Sequence, residues 1–232
     1  MIEMLVKNKE YIRRHTKGFV YLHWVNAVCF LMLFFTALPL YTETFRFVYD
    51  ALGAATLQNA HRFFAVIFVL NPVVGLVTAR EGIWRMFSEV FKFNGKDITF
   101  LIKFPAELLG GHAEGVPRQG FYNGGERMNI ALQLVTWLFL VGSGAILWFG
   151  QGHVSQSIIA WMIPVHSLCA AIGFAGSIGH IYLAVVANPD SVHGMQDGTI
   201  KVKYADAHHG EWLDDLVKEG KLDKKELQEA LK

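Results

Sequence analysis

Four stretches of the chain are long, apolar and free of aspartate and glutamate: Phe19 to Leu40, Asn59 to Ala79, Met128 to Phe149, and Ile158 to Ala187. A helix needs roughly 20 mostly apolar residues to cross a bilayer, where lipid offers its backbone no other hydrogen-bond partners. Four runs of this length are too many for the buried helices of a soluble chain of 232 residues. Composition agrees, with 18% charged residues against about a quarter in an ordinary soluble domain. The net charge of +1 creates no field that would gather nucleic acid.

The fourth run would extend about 45 Å as one straight helix, more than the hydrocarbon core is thick. Its first residues are therefore assigned to an interfacial segment, and the span starts near Pro164, a residue suited to opening a helix. Asn71-Pro72 predicts a kink in the second span.

Orientation follows from lysine and arginine in the short loops. Lys7, Lys9, Arg13, Arg14 and Lys17 precede the first span. Arg80, Arg85, Lys92, Lys96, Lys103, Arg118 and Arg127 lie between the second and third. The loop between spans one and two has Arg46, and the stretch from Gly150 to Ser157 has no positive charge. Both termini and the long middle loop are thus expected in the cytoplasm. The expected organisation is all-α: a cytoplasmic segment over 1–18, a four-helix transmembrane bundle over 19–187 with a cytoplasmic loop over 80–127, and a cytoplasmic tail over 188–232. The N-terminal segment has no apolar stretch followed by small residues, so no signal peptide is expected. Ile83, Met86, Phe87 and Val90 recur at helical spacing within that loop, predicting an amphipathic helix lying on the lipid. Gly210 to Lys232 has the pattern of a charged soluble helix.

Cys29 and Cys169 both lie in apolar runs, which excludes a structural disulfide or zinc site as an organising device. No CxxCH occurs, so no covalently attached haem is expected. Histidine carries the chemistry instead. His23, His61, His166 and His180 lie within or at the edge of spans, where ionisable residues are costly and mark function. With alternating spans, His61 and His166 fall near the outer side, and His23 and His180 near the inner side. His166 and His180 are fourteen residues apart, nearly four turns, so they share one helix face about 21 Å apart along the axis. That spacing fits two b-type haems, each ligated by two imidazoles on facing helices. A closed zinc site needs clustered ligands instead, and a proton relay usually includes intramembrane carboxylates. Gly173, midway between the two histidines, and Gly176 are candidates for letting a flat cofactor approach the backbone. Ordinary small-residue helix packing explains them equally well. His15, His112, His153, His193, His208 and His209 lie outside the spans and read as solvated or interface residues.

Several of these features occur together in a known family. His23-Trp24 opens the first span and His61 the second. YNGGERM (Tyr122 to Met128) precedes the third, and the His166 and His180 pair lies in the fourth. GMQDG (Gly194 to Gly198) and HHGEW (His208 to Trp212) follow. The chain resembles the cytochrome b, or gamma, subunit of respiratory formate dehydrogenases through most of its length. The paired histidines alone are shared with the cytochrome b subunits of hydrogenases and thiosulfate reductases. The resemblance implies an electron-transfer subunit with two partners. A molybdenum or tungsten catalytic subunit oxidises formate outside, and an iron–sulfur subunit passes the electrons to the outer haem. From the inner haem they reduce a quinone, menaquinone or ubiquinone, near the cytoplasm. A haem-free membrane anchor is the alternative of a different class, and it leaves the depth-matched histidines without a role.

The expected quinone site comprises Asn123, Glu126 and His180, beside Gly124 and Gly125, with Gly125 a further candidate for cofactor contact. The Asn123 amide can donate to a quinone oxygen, and Glu126 can carry a proton inward. Alternatively, Asn123 caps the third helix and Glu126 favours its positive end. Where the family has glutamine-lysine, this chain has Glu126-Arg127, a departure that bears on how a quinone is held.

Overall fold

The computed structural model describes residues 4–108 and 115–232; His112 lies outside them. Helix α1 spans Lys17–Tyr41 and α2 spans Arg46–Thr78. The middle loop forms α3 (Arg80–Val90), α4 (Gly95–Lys103) and a short turn, α5 (Pro105–Leu108). Then come α6 (Gly124–Phe149) and α7 (Gln156–Tyr182), and the tail carries α8 (Val202–Lys218) and α9 (Lys224–Leu231). α1, α2, α6 and α7 are each long and apolar enough to cross a membrane. They form two antiparallel hairpins, α1–α2 and α6–α7, each closely packed within itself, with sparse contacts between the two. Outward faces bearing Val28, Phe35, Phe63, Leu138 and Leu168 are exposed, as lipid-facing helices require.

Three helix boundaries differ from the sequence expectation. α7 begins at Gln156 and runs through Pro164. Ser155 caps it by accepting from the Ile158 amide, so the apolar run from Ile158 is helix rather than an interfacial segment. α2 begins well before Asn59 and continues through Pro72; its one residue with non-helical dihedrals is Gly53 (φ 76°). Only glycine adopts that backbone without strain, so the helix changes direction there. At the Asn-Pro site, the Asn71 amide donates to the Leu22 carbonyl at 2.9 Å, which ties α2 to α1 next to His23. α6 begins at Gly124, so Gly124 and Gly125 form its first turn rather than a flexible segment.

The residues before α1, the middle loop and the tail meet on one side of the bundle, here called the terminal side. Three antiparallel strands form a small sheet in which β2 (Tyr11–Arg13) lies between β1 (Leu5–Val6) and β3 (Thr199–Lys201), Ile12 standing opposite Ile200. This small sheet is the one departure from an all-helical chain among the described residues. Ile12, Ile200, Val202 and Leu213 are fully buried in a core completed by Phe121, Tyr122 and Trp212. Three segments far apart in sequence therefore make one compact unit, with all three on the same side.

Buried ion pairs fasten that unit to the bundle. Arg127, in the first turn of α6, donates to both Asp97 carboxylate oxygens (2.8 and 2.9 Å) and to Glu89 (2.9 Å). Lys92 completes the balance on Glu89 at 2.6 Å. Burial alone would push the Glu89 carboxyl up, but the Lys92 and Arg127 donors outweigh it and hold it below its ordinary value. α3 and α4 are thus anchored by charge as well as by Ile83 and Phe100. Trp84, Phe87 and Phe91 on the same segment stay exposed, while Ile83 turns inward toward Leu22 and Gly75.

Candidate cofactor centres

The structure brings the four span histidines together in two pairs. His61 on α2 meets His166 on α7 with ring centroids 6.3 Å apart. His23 on α1 meets His180 on α7, also at 6.3 Å. The interplanar angles, 63° and 65°, are nearly equal. A histidine nitrogen binds a transition metal at about 2 Å, and each ring centroid lies roughly 1 Å behind that nitrogen, so two axial imidazoles have centroids about 6 Å apart. Both pairs fit a bis-imidazole iron.

The His61–His166 pair, expected on the outer side, is also oriented for this. Thr36 Oγ1 donates to the Met32 carbonyl at 2.7 Å, so its proton is committed and it can only accept from His61 Nδ1, 3.1 Å away. The Leu33 carbonyl accepts from the same Nδ1 at 3.0 Å. Ser143 Oγ likewise donates to the Phe139 carbonyl and lies 2.9 Å from His166 Nδ1. Hydrogen-bond accounting therefore puts the proton on Nδ1 in both rings and leaves each Nε2 lone pair free, the tautomer a metal ligand needs. The inner pair has no such support: His23 Nδ1 is buried without a partner among the described residues.

Both outer histidines lie further along their helices than expected. His61 is fifteen residues past the start of α2 and eight past Gly53; His166 is ten past the start of α7. The outer pair thus lies two or more turns inside its helices, because both helices begin earlier than hydropathy placed them.

Between the two pairs the hairpins touch through aromatics. Phe34 on α1 stacks on Phe174 on α7, with centroids 3.6 Å apart and planes within 3°. Phe30 approaches Phe68 at 6.1 Å, and Phe68 approaches Trp137 at 6.4 Å. A side chain at Gly173 would meet Phe30 and Thr136, and one at Gly176 would meet Leu132 and Gln133. These glycines therefore bring α7 close to α1 and α6 in this layer. At Gly125 the nearest groups are Asn123 and Phe100.

At the inner end, Asn123 and Glu126 form a reciprocal cap. Asn123 Oδ1 accepts from the Glu126 amide and Glu126 Oε2 from the Asn123 amide, each at 2.9 Å. Glu126 also pairs with Arg14 at 2.9 Å. Asn123 Nδ2 has no hydrogen-bond partner among the described residues, so the amide keeps its donor. His209 and His15, expected as solvated or interface residues, are buried in the terminal-side unit instead. His209 Nδ1 lies 3.1 Å from the Gly120 carbonyl and 3.9 Å from Glu126. Burial strips the imidazolium of water and Arg14 repels it, so the His209 pKa is pushed down to about 3.

Sequence reasoning passed over Thr36, Ser143 and Arg14. The first two had a signal: each is a hydroxyl inside an apolar run, 25 and 23 residues before an outer histidine. Arg14 was counted only as a topogenic charge.

Apolar helices that converge paired, pre-oriented imidazoles define a membrane cytochrome. The family described as prokaryotic cytochrome b561 matches residues 14–198, and the chain belongs to it. It is thus a bacterial membrane cytochrome b with an electron-transfer role, and the family carries b-type haem. The chain is 26% identical over 220 residues to the formate dehydrogenase cytochrome b556 subunit of Haemophilus influenzae, covering 94% of this chain and 88% of that protein. It is 24% identical over 215 residues to the cytochrome b556(Fdn) subunit of the nitrate-inducible formate dehydrogenase of Escherichia coli, covering 90% and 92%. The E. coli formate dehydrogenase cytochrome b556(fdo) subunit matches at 24% over 217 residues, covering 92% and 97%.

Proposed function

We propose that the chain is the membrane subunit of a formate dehydrogenase complex, carrying electrons from an external iron–sulfur partner to a quinone on the cytoplasmic side. The observation that carries this reading is the repetition of one ring-to-ring distance, 6.3 Å, at two depths of the same helix. Two b-type haems bound there would supply reversible one-electron chemistry at iron. His61 and His166 hold the outer iron, His23 and His180 the inner. Gly173 and Gly176 let α7 approach its neighbours between the two centres, and the Phe34–Phe174 stack excludes water from that layer.

At the inner end, Asn123 Nδ2 donates to a quinone carbonyl, and His180 marks the edge of the site. Gly125 lies between Asn123 and Phe100, where a side chain would crowd the Asn123 amide. Glu126 is half-buried against Arg14 and His209 (2.9 and 3.9 Å), at the terminal-side approach by which a proton reaches the quinone. With the positive loops and both termini cytoplasmic, electrons enter from outside while protons are taken from inside, so turnover builds a membrane potential.

The test is a spectrum of the purified membrane complex, oxidised, formate-reduced and dithionite-reduced, with the co-purifying subunits identified. Formate should reduce two b-type centres through a molybdenum- or tungsten-containing partner. A hydrogenase large subunit in its place would reassign the electron donor, and absence of haem would leave only a membrane anchor.

A further inference from the structure

The two histidine pairs share a distance and differ in what holds them. On the outer side, both imidazole Nδ1–H groups are bound by oxygen: His61 by Thr36 Oγ1 (3.1 Å) and the Leu33 carbonyl (3.0 Å), His166 by Ser143 Oγ (2.9 Å). Thr36 is on α1 and serves a histidine on α2; Ser143 is on α6 and serves a histidine on α7. The same device thus appears once in each hairpin. Both hydroxyls are buried and both spend their own proton on a carbonyl one turn back. On the inner side, His23 Nδ1 is buried with no acceptor among the described residues.

Resting on the two-haem reading above, we infer that Thr36 and Ser143 are positioning residues that lower the reduction potential of the outer haem selectively. An imidazole whose Nδ1–H is bound by oxygen is a stronger electron donor through Nε2. A stronger donor favours ferric over ferrous iron, and hydrogen bonding around axial ligands is a recognised lever on haem potential. Their contribution to the difference between the two centres favours placing the electron on the inner one, the direction that quinone reduction requires. Arg62, next to His61 in sequence, acts in the opposite sense as a cation. It is unchanged in the variants below, which therefore isolate the hydrogen-bond contribution.

The experiment is a potentiometric titration of the haem-loaded complex, followed by visible absorption and by electron paramagnetic resonance of the ferric centres. His166→Ala assigns which signal is the outer haem. Thr36→Val and Ser143→Ala should each move the outer midpoint to more positive potential, the double variant further, with the inner midpoint unmoved. Thr36→Ser and Ser143→Thr, which retain the hydroxyl, should restore the wild-type value. If Thr36→Val loses the outer haem, Ser143→Ala carries the test. An outer midpoint that stays put in Ser143→Ala with both haems present overturns the inference. So does a shift of the inner midpoint instead. A wild-type complex without two bis-histidine signals overturns the two-haem reading itself, and this inference with it, before any variant is made.

Discussion

The bundle and the terminal-side unit are built on different principles. In the unit, Ile12, Ile200, Leu213 and His209 are fully buried, a sheet joins its first and last segments, and carboxylates are matched to arginines. It is a small soluble core of the usual kind. In the bundle, the two hairpins meet through few side chains besides the central aromatic layer, and its outward face is apolar. Lipid gives helices little hydrophobic reason to associate, so packing, a few polar contacts and whatever lies between the histidine pairs must join the hairpins. One region is completed by its own side chains; the other leaves its hairpins joined through one aromatic layer and two histidine pairs.

The largest expected effect breaks the bundle and spares the unit. His61→Ala or His166→Ala should halve the haem-to-protein ratio by removing the outer centre, and His23→Ala or His180→Ala should remove the inner one. Amide hydrogen exchange in α8 should stay unchanged in all four. A wild-type haem ratio in His166→Ala would end the outer pairing.

The converse comes next. Leu213→Ala opens a cavity in the core of the unit and should cost about 2–5 kcal/mol there, seen as faster exchange and proteolysis of the tail. Both haem spectra should persist. Loss of haem in this variant would mean that the two regions do not fold independently.

A smaller effect distinguishes the regions by pH. The His209 pKa is pushed down to about 3 in the folded unit, from an ordinary value of 6.5. The unfolded chain therefore binds this proton first as pH falls. The stabilisation is complete above about pH 6.5 and declines toward about pH 3. His15, also buried and held well below its ordinary value, acts with the same sign. Acid titration of tail protection should show this decline, and His209→Gln should make it shallower. An unchanged acid profile in that variant would place the sensitivity elsewhere.

The smallest structural effect is at the junction. Asn123→Ala removes a helix cap worth about 1 kcal/mol, whereas Asn123→Ser keeps an oxygen acceptor there. If the Asn123 amide binds quinone, both variants should keep haems reducible by formate and lose formate-to-quinone electron transfer. Full activity in Asn123→Ser would reduce Asn123 to its capping role.

How far the sequence was legible depended on the range of each interaction. Hydropathy located four long helices because each must satisfy its own backbone within lipid, a property of a single segment. Helical periodicity placed His166 and His180 on one face of α7 because the rise per residue is constant. The true start of α7 was also local, written in the Ser155 cap, but the proline nine residues later drew the boundary away from it. The rest joins residues far apart in the chain. Which ring on α1 or α2 faces α7 depends on how each helix is rotated about its axis. That Thr36 reaches His61 and Ser143 reaches His166 depends on the stagger within each hairpin. That Arg14, Glu126 and His209 meet depends on β2, which ends just before Arg14, pairing with β3, the strand that precedes α8. Sequence alone determined the helices and the spacing of ligands along one of them. Only the tertiary structure decided their partners, because side-chain proximity between helices is set by packing.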